Sequence, residues 1–347
     1  MRYPEFLKPG DKLGFIAPSF GCTTEPYISC FGAALSRFRS MGYGIVLGTN
    51  CYADDGIGKS STPEKCGAEI NSFFADGVDG DVRAIISCGG GETMCEDLPF
   101  VDFDAIRSAV PRWFMGYSDN TNLTFTLPVL CDIAAVYGPN APAFGASVLH
   151  DSLADALALL RGDKLSFESY PSWERESLKS PENPFAPYNL TEANAIRTVR
   201  ACGVDGPVNF SGRLIGGCLD CLVNLAGTPW DRTAEFAVNY TSDGVVWFFE
   251  SCDLTTMGVR RALWQLKHNG WFRNVAGFIV GRPWRFDDRF DSDGPQEAVL
   301  SVLGGYGVPI ILDADLGHLP PAMPFISGAC AEVSAEAGHM SIRYHLS

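Results

Sequence analysis

The sequence predicts a two-domain α/β protein whose N-terminal part is a parallel, doubly wound sheet. Three observations predict it. At 347 residues the chain is too long for one small core and fits two domains. Its first half alternates short apolar runs with segments of helical period, in the order β-α-β-α-β. Its second half restarts that alternation after a charged, proline-punctuated stretch. The division that follows is an N-terminal domain over 1–161, a linker or long loop over 162–205, and a C-terminal domain over 206–347.

Taken in order, Lys12 to Pro18 (KLGFIAP) reads as the first strand and closes in the Pro18-Ser19-Phe20-Gly21 turn. Phe31, Ala34, Leu35, Phe38 and Met41 recur at helical spacing, which predicts an amphipathic helix over 26–41, stopped by Gly42. Tyr43 to Leu47 is the next strand, and a polar stretch from Asp54 to Lys65 leads into a helix over 63–75. Val82 to Ser87 is a third strand and runs into Cys88-Gly89-Gly90-Gly91-Glu92-Thr93. Trp113-Phe114-Met115 is a short buried strand, followed by the polar turn Gly116-Tyr117-Ser118-Asp119-Asn120-Thr121. Leu123, Phe125 and Leu127 then suggest a helix, Ile133 to Tyr137 another strand, and Leu149 to Leu160 another helix.

In the second half, Gly206 to Leu214 reads as a strand, with Gly216-Gly217 opening a helix that runs through Leu225. Gly244 to Phe249 is an almost wholly apolar strand ending in Glu250. A helix over 255–268 and a strand from Ala276 to Val280 complete the next unit. Pro309 to Leu312 is the last buried strand and leads into Asp313-Ala314-Asp315-Leu316-Gly317-His318.

Composition excludes several classes. Hydrophobic residues make up 46% and charged residues 19%, the balance of a folded globular protein. A net charge of −15 and no Lys/Arg cluster argue against a nucleic-acid surface. No basic, apolar leader opens the chain and no apolar run is long enough to span a bilayer, which predicts a cytoplasmic protein without a membrane partner. The twelve cysteines are scattered through apolar segments, as at Cys88, Cys131 and Cys330, and read as reduced core thiols. Cys218 and Cys221 have CxxC spacing but no second pair, so neither a structural zinc nor a redox role is expected.

The chemistry is carried by turns that follow strands. Strand, tight turn and helix around Ser118 form the geometry that lifts a serine hydroxyl above the edge of a parallel sheet, beside the amide of the next residue. The bland alternative is that Ser118 and Asp119 cap a helix. The Gly89–Gly91 run lacks the Gly-x-Gly-x-x-Gly spacing of a nucleotide-binding turn, and fits a loop whose amides approach a substrate carbonyl. Glu250, at the end of a buried strand, requires a partner, either a catalytic group or Arg260 or Arg261 on the next helix. Of the five histidines, His318 lies in a turn set by glycine and prolines, which suits a general base. His150 reads as a cap or a supporting group, His268 as a helix-terminal surface residue, and His339 and His345 lie at the C-terminal edge. Together Ser118, Glu250 and His318 form the Ser-acid-His set of nucleophilic hydrolysis.

Four motifs then resemble one family. Gly116-Tyr117-Ser118-Asp119, the segment from Gly212-Arg213-Leu214-Ile215-Gly216-Gly217 to Thr228-Pro229, Phe248-Phe249-Glu250 and Gly317-His318 resemble the LD-carboxypeptidase family of serine peptidases. Its microcin C immunity peptidases share the pattern, and the resemblance runs from Pro9-Gly10-Asp11 to the final strands. It implies a Ser118-Glu250-His318 triad and an oxyanion site of the Asp119, Gly90 and Gly91 amides, with Glu92 and Tyr117 against the substrate. It also implies a flavodoxin-like N-terminal domain with the serine, a smaller C-terminal domain with Glu and His, a homodimer, and no metal or other cofactor. Many family members have Arg-Gly-Gly-Tyr where this chain has Cys88-Gly89-Gly90-Gly91-Glu92, a loop that lines the substrate pocket.

The expected activity is that of a serine carboxypeptidase releasing D-alanine from a murein tetrapeptide in cell-wall recycling. The alternative within the family is cleavage of a peptidyl- or aminoacyl-nucleotide amide, for which Trp173 and Trp284 are candidate platforms for a base. From a different class, the chain could be a non-catalytic binding protein for a small ligand.

Overall fold

The computed structural model describes residues 1–77 and 82–346. Its internal contacts divide the chain into two units, Met1–Lys164 with Glu176–Asn189, and Leu165–Arg175 with Leu190–Ser347. Each is a mixed α/β structure with its own sheet.

The first unit contains β1 (Lys12–Ile16), α1 (Tyr27–Ser40), β2 (Gly44–Leu47), α2 (Pro63–Phe74), β3 (Val82–Ser87), α3 (Phe103–Ser108), β4 (Trp113–Gly116), α4 (Thr121–Thr124), β5 (Ala135–Tyr137) and α5 (Asp151–Arg161). Its strands are parallel and lie in the order β2-β1-β3-β4-β5, the flavodoxin-like arrangement. Alternation along β1 divides the core between the two faces of the sheet. Phe15 packs on Phe31 and Phe38 of α1, with ring centroids 5.7 and 5.6 Å away. Ile16 joins Ile70 and Phe74 of α2, Ile85, Phe114 and Leu123 on the other face. The apolar spacing along α1 buries Cys30, Phe31, Ala34, Leu35 and Phe38 as one stripe. Between β1 and β3 the order of connection reverses, and in such sheets the crevice at the strands' carboxyl ends is the usual ligand site.

The helix expected after Ser118 is broken into pieces. A 3₁₀ turn at Ser118–Asn120 leads into the single α-turn of α4 and then a wide π-turn at Leu127–Cys131. Pro128 explains the break, because it lacks the amide that would continue the ladder.

The second unit holds β6 (Ser166–Glu168), β7 (Ser172–Glu174), β8 (Leu190–Ala193), β9 (Arg197–Val199), β10 (Val208–Cys218), α6 (Leu219–Leu225), α7 (Thr233–Asn239), β11 (Val245–Glu250), α8 (Thr256–His268), β12 (Val275–Gly281), α9 (Pro295–Leu303), β13 (Ile310–Ala314), β14 (Phe325–Ser327), β15 (Cys330–Glu336) and β16 (His339–His345). The main sheet runs β6-β16-β15-β10-β11-β12-β13-β9. Parallel strands β10 to β13 form its centre, while antiparallel β15, β16 and β6 flank one side and β9 the other. Trp247 and Phe249 of β11 stack at 5.5 Å, and Trp247 stacks on Trp271 at 5.4 Å, an aromatic core that Phe272, and Phe278 of β12, extend.

Two departures from the sequence reading have physical causes. The stretch read as a linker or long loop over 162–205 contains β6, β7, β8 and β9, each too short to show a period against the prolines. Gly216 and Gly217, read as lying beyond the strand and opening the next helix, lie inside β10 opposite Phe248 and Phe249. A Cβ on Gly216 would sit 1.8 Å from the Phe248 carbonyl oxygen, so glycine there permits close pairing rather than a turn. Among the described residues, no helix is long and apolar enough to cross a membrane.

Candidate active site

Strand β4 ends at Gly116 and delivers Ser118 into a conformation few side chains adopt. Its φ is +65°, in the left-handed region, as at the sharp turns that project a nucleophile from a sheet. The turn is held by its neighbours. The Ser118 amide donates to the Tyr137 hydroxyl at 3.1 Å, and the Tyr117 amide to Asn140 Oδ1 at 3.3 Å. Asp119 does not cap a helix. Its carboxylate is buried and accepts from Ser19 Oγ at 2.5 Å, from the Met94 amide at 2.9 Å and from Asn122 Nδ2 at 3.1 Å.

The glycine turn closes on the same place. A Cβ built on Gly90 would lie 3.1 Å from Ser118 Oγ, so the backbone there comes right up to the hydroxyl. Gly91 has φ +152°, and a Cβ on it would meet Ser19 Oγ at 2.0 Å. The Phe20 amide donates to the Gly90 carbonyl at 2.9 Å, joining this turn to the one after β1. The first unit thus brings Ser118, Asp119, Gly90 and Gly91 together at the carboxyl ends of β3 and β4, beside the switch point of its sheet. Glu92 beside them is exposed and Tyr117 half-buried, its ring set edge-on to Tyr137 at 6.4 Å.

Asp97 lies near this cluster, 4% exposed. Burial, and then the charge of Asp119, push its carboxyl up to about 8.

The second unit supplies the other two candidates. Glu250 ends β11, is 1% exposed, and has Oε2 2.8 Å from His318 Nδ1. A carboxylate can only accept, so Nδ1 carries the proton of this bond and the other ring nitrogen, Nε2, is left basic. Arg260 and Arg261, the alternative partners, face outward on α8. Gly317 makes the pairing possible. Its φ is +105°, and a Cβ on it would fall 2.7 Å from both Glu250 Cβ and Oε2.

The loop carrying His318 is pinned at Asp315, which is fully buried. Arg282 Nη2 donates to Asp315 Oδ1 at 2.5 Å, while the Tyr170 amide and Asn194 Nδ2 donate to Oδ2 at 2.7 and 3.1 Å. Burial nevertheless holds the Asp315 carboxyl above its ordinary range, with Arg282 opposing.

The two candidate tryptophans separate. Trp173 is a packing residue, with Arg282 5.3 Å from its ring, Phe286 edge-on at 5.5 Å and its indole N–H donating to the Ala193 carbonyl. Trp284 is 49% exposed and edge-on to the His318 ring at 6.4 Å.

Of the remaining histidines, His150 caps α5 through the Ser152 amide at 3.1 Å, and His268 lies against Trp264 in the last turn of α8. No disulfide joins any of the twelve cysteines, and among the described residues no His/Cys/Asp/Glu group is placed to hold a metal ion. Ser19, Asn120, Tyr137, Asn140, Arg282 and Asp315 were not singled out from the sequence. Each is an ordinary polar residue at or next to a loop, and the usable signal is position: each ends a strand or follows one within a few residues.

Comparison with known proteins finds relatives along nearly the whole chain. Models of the LD-carboxypeptidase N-terminal and C-terminal domains match residues 13–138 and 211–333. The microcin C7 self-immunity protein MccF of Escherichia coli is 26% identical over 97% of this chain and 94% of its own. The probable murein peptide carboxypeptidase of Bacillus subtilis is 25% identical over 95% of this chain and 91% of its own. The solved structure of MccF with aspartyl sulfamoyl adenosine superposes with a TM-score of 0.80 at 25% identity, covering 99% of this chain and 98% of that one.

Proposed function

Since this chain belongs to the LD-carboxypeptidase family, we propose that it is a serine carboxypeptidase in which Ser118, His318 and Glu250 act as nucleophile, general base and orienting acid. Ser118 Oγ attacks the carbonyl carbon of a terminal amide as its proton passes to His318 Nε2. Glu250 keeps Nδ1 protonated and stabilises the imidazolium. The oxyanion is held by the amides of Asp119 and of the Gly90–Gly91 turn, with Glu92 and Tyr117 as substrate contacts. The imidazolium then gives its proton to the leaving amine, the C–N bond breaks, and water hydrolyses the acyl-serine by the same route. The proposal includes a homodimer, which sedimentation equilibrium tests.

The observation that chiefly supports this reading is the buried Glu250–His318 pair at 2.8 Å. A carboxylate this deep is costly and is retained where its charge has a task. Our first reading of the substrate is a murein tetrapeptide that loses its terminal D-alanine, as the family description and the Bacillus subtilis relative suggest. A second reading, an aminoacyl-nucleotide amide, is favoured by one observation here: the exposed Trp284 ring beside His318, a surface for a planar base. It is also supported by the complex of MccF with aspartyl sulfamoyl adenosine.

The test is hydrolysis of L-Ala-D-Glu-diaminopimelate-D-Ala and of an aminoacyl sulfamoyl adenosine by wild type and Ser118→Ala. Release of D-alanine by wild type alone is expected. Cleavage of only the nucleotide conjugate moves the assignment to the second reading, and hydrolysis undiminished in Ser118→Ala overturns the nucleophile.

A further inference from the structure

Ser118 and the glycine turn belong to loops after different strands, β4 and β3, so something must fix the gap between them. Asn120 is placed to do so. It is 0% exposed and two residues beyond the serine. Its Nδ2 lies 2.8 Å from the Gly89 carbonyl, 3.0 Å from the Tyr117 carbonyl and 3.3 Å from Asn140 Oδ1. One carboxamide nitrogen therefore reaches the residue before the Gly90 amide, the residue before Ser118, and the loop after β5.

The surrounding residues are built around it. A Cβ on Gly116 would fall 2.8 Å from both Cβ and Cγ of Asn120, so the glycine that opens the serine turn clears the space this carboxamide occupies. Ser87 Oγ donates to the same Gly89 carbonyl at 2.9 Å, and Asn140 Oδ1 also accepts from the Tyr117 amide. The Gly-x-Ser-x-Asn spacing then has a reason: glycine admits the asparagine, and the asparagine ties the serine turn to the glycine turn.

We propose that Asn120 is a positioning residue that sets the distance between Ser118 Oγ and the amides of the Gly90–Gly91 turn. The inference rests on the reading of Ser118 as nucleophile and of that turn as oxyanion donor. It concerns the transition state, in which oxygen charge develops between the two loops, more than substrate binding, because Asn120 is buried behind both.

The experiment measures kcat, KM, thermal unfolding and inhibition by a peptide boronic acid for wild type, Asn120→Ala and Asn120→Ser. The boronate forms a tetrahedral adduct on a nucleophilic serine and so reports the assembled geometry. A displacement of about 1 Å between reacting groups costs roughly 100-fold in rate, so kcat and boronate affinity should fall together by about that factor in Asn120→Ala. KM should stay within about threefold, the pattern of an interaction made only in the transition state. Asn120→Ser, which keeps a short donor, should fall between, and serves where the alanine variant does not fold. A folded variant with kcat near wild type, or one whose kcat falls while boronate affinity holds, overturns the inference. If instead wild type ignores the boronate, or Ser118→Ala remains active, the reading of Ser118 fails and the inference fails with it.

Discussion

Around Ser118 the first unit uses many neutral hydrogen bonds, from Tyr137, Asn140 and Asn120, on a backbone turned to positive φ. Around Glu250 the second unit sinks a single carboxylate at the end of an apolar strand and sets the His318 ring against it. The difference fits the roles proposed for the two groups. For the nucleophile proposed at Ser118, position is fixed through the backbone of the turn, whose amides at Tyr117 and Ser118 are both held. A base needs its orientation and charge set, and a buried carboxylate does both. Each unit relies on a glycine to admit the functional side chain, Gly90 beside Ser118 and Gly317 beside Glu250.

Removing the reacting groups should give the largest effects. Ser118→Ala or His318→Ala should lower kcat by about 10⁶-fold with little change in thermal unfolding, as in triads whose members act as a unit. Glu250→Gln should keep the fold and lower kcat by roughly 10⁴-fold, because the amide favours the wrong imidazole tautomer. Full activity in that variant would remove the second unit from the comparison.

The two glycines sharpen it further. Gly317→Ala adds a methyl 2.7 Å from Glu250 at a φ of +105°, and should cost about 2–4 kcal/mol in denaturant unfolding along with most activity. Gly90→Ala meets Ser118 Oγ and Cβ at 3.1 Å and Asn140 Nδ2 at 4.0 Å, and should change stability by under about 1 kcal/mol while lowering kcat. Equal stability losses would contradict the view that a methyl finds room at Gly90 and none at Gly317.

Acidity gives smaller effects. With His318 as base, activity should be lost on acidification, as the imidazole takes up the proton that it must accept from Ser118. Asp97 acts on stability in the opposite sense. Its folded carboxyl, raised to about 8, holds a proton that the unfolded chain releases above ~3.9, so it lowers stability as pH rises between those values. Asp97→Asn should therefore unfold at a higher temperature than wild type at pH 8 and lose that advantage near pH 4. No gain at pH 8 would mean that Asp97 is ionised in the folded protein.

How much of this was legible beforehand depended on scale. The alternation that gave the parallel sheet is carried by short apolar runs such as Val82–Ser87 and Val245–Phe249, whose length and β-branched or aromatic content mark them as strands. Glu250 was conspicuous because a carboxylate at the end of such a run requires a partner, and its partner proved to be His318. Asn120 was not conspicuous, since a buried asparagine and a turn asparagine are the same letter and only the fold brings Gly89 to it. Gly216 and Gly217 misled for the converse reason: glycine marks either a turn or a close approach of strands, and the Phe248 carbonyl decides which. The short strands within 162–205 carry too few residues to show alternation at all.

The most direct test of the central claim is covalent labelling by a fluorophosphonate, followed by peptide mass mapping, in wild type and His318→Ala. The account predicts one label, on Ser118, that is nearly abolished without the His318 imidazole. Labelling of another residue, or equal labelling of Ser118 in both proteins, would contradict it.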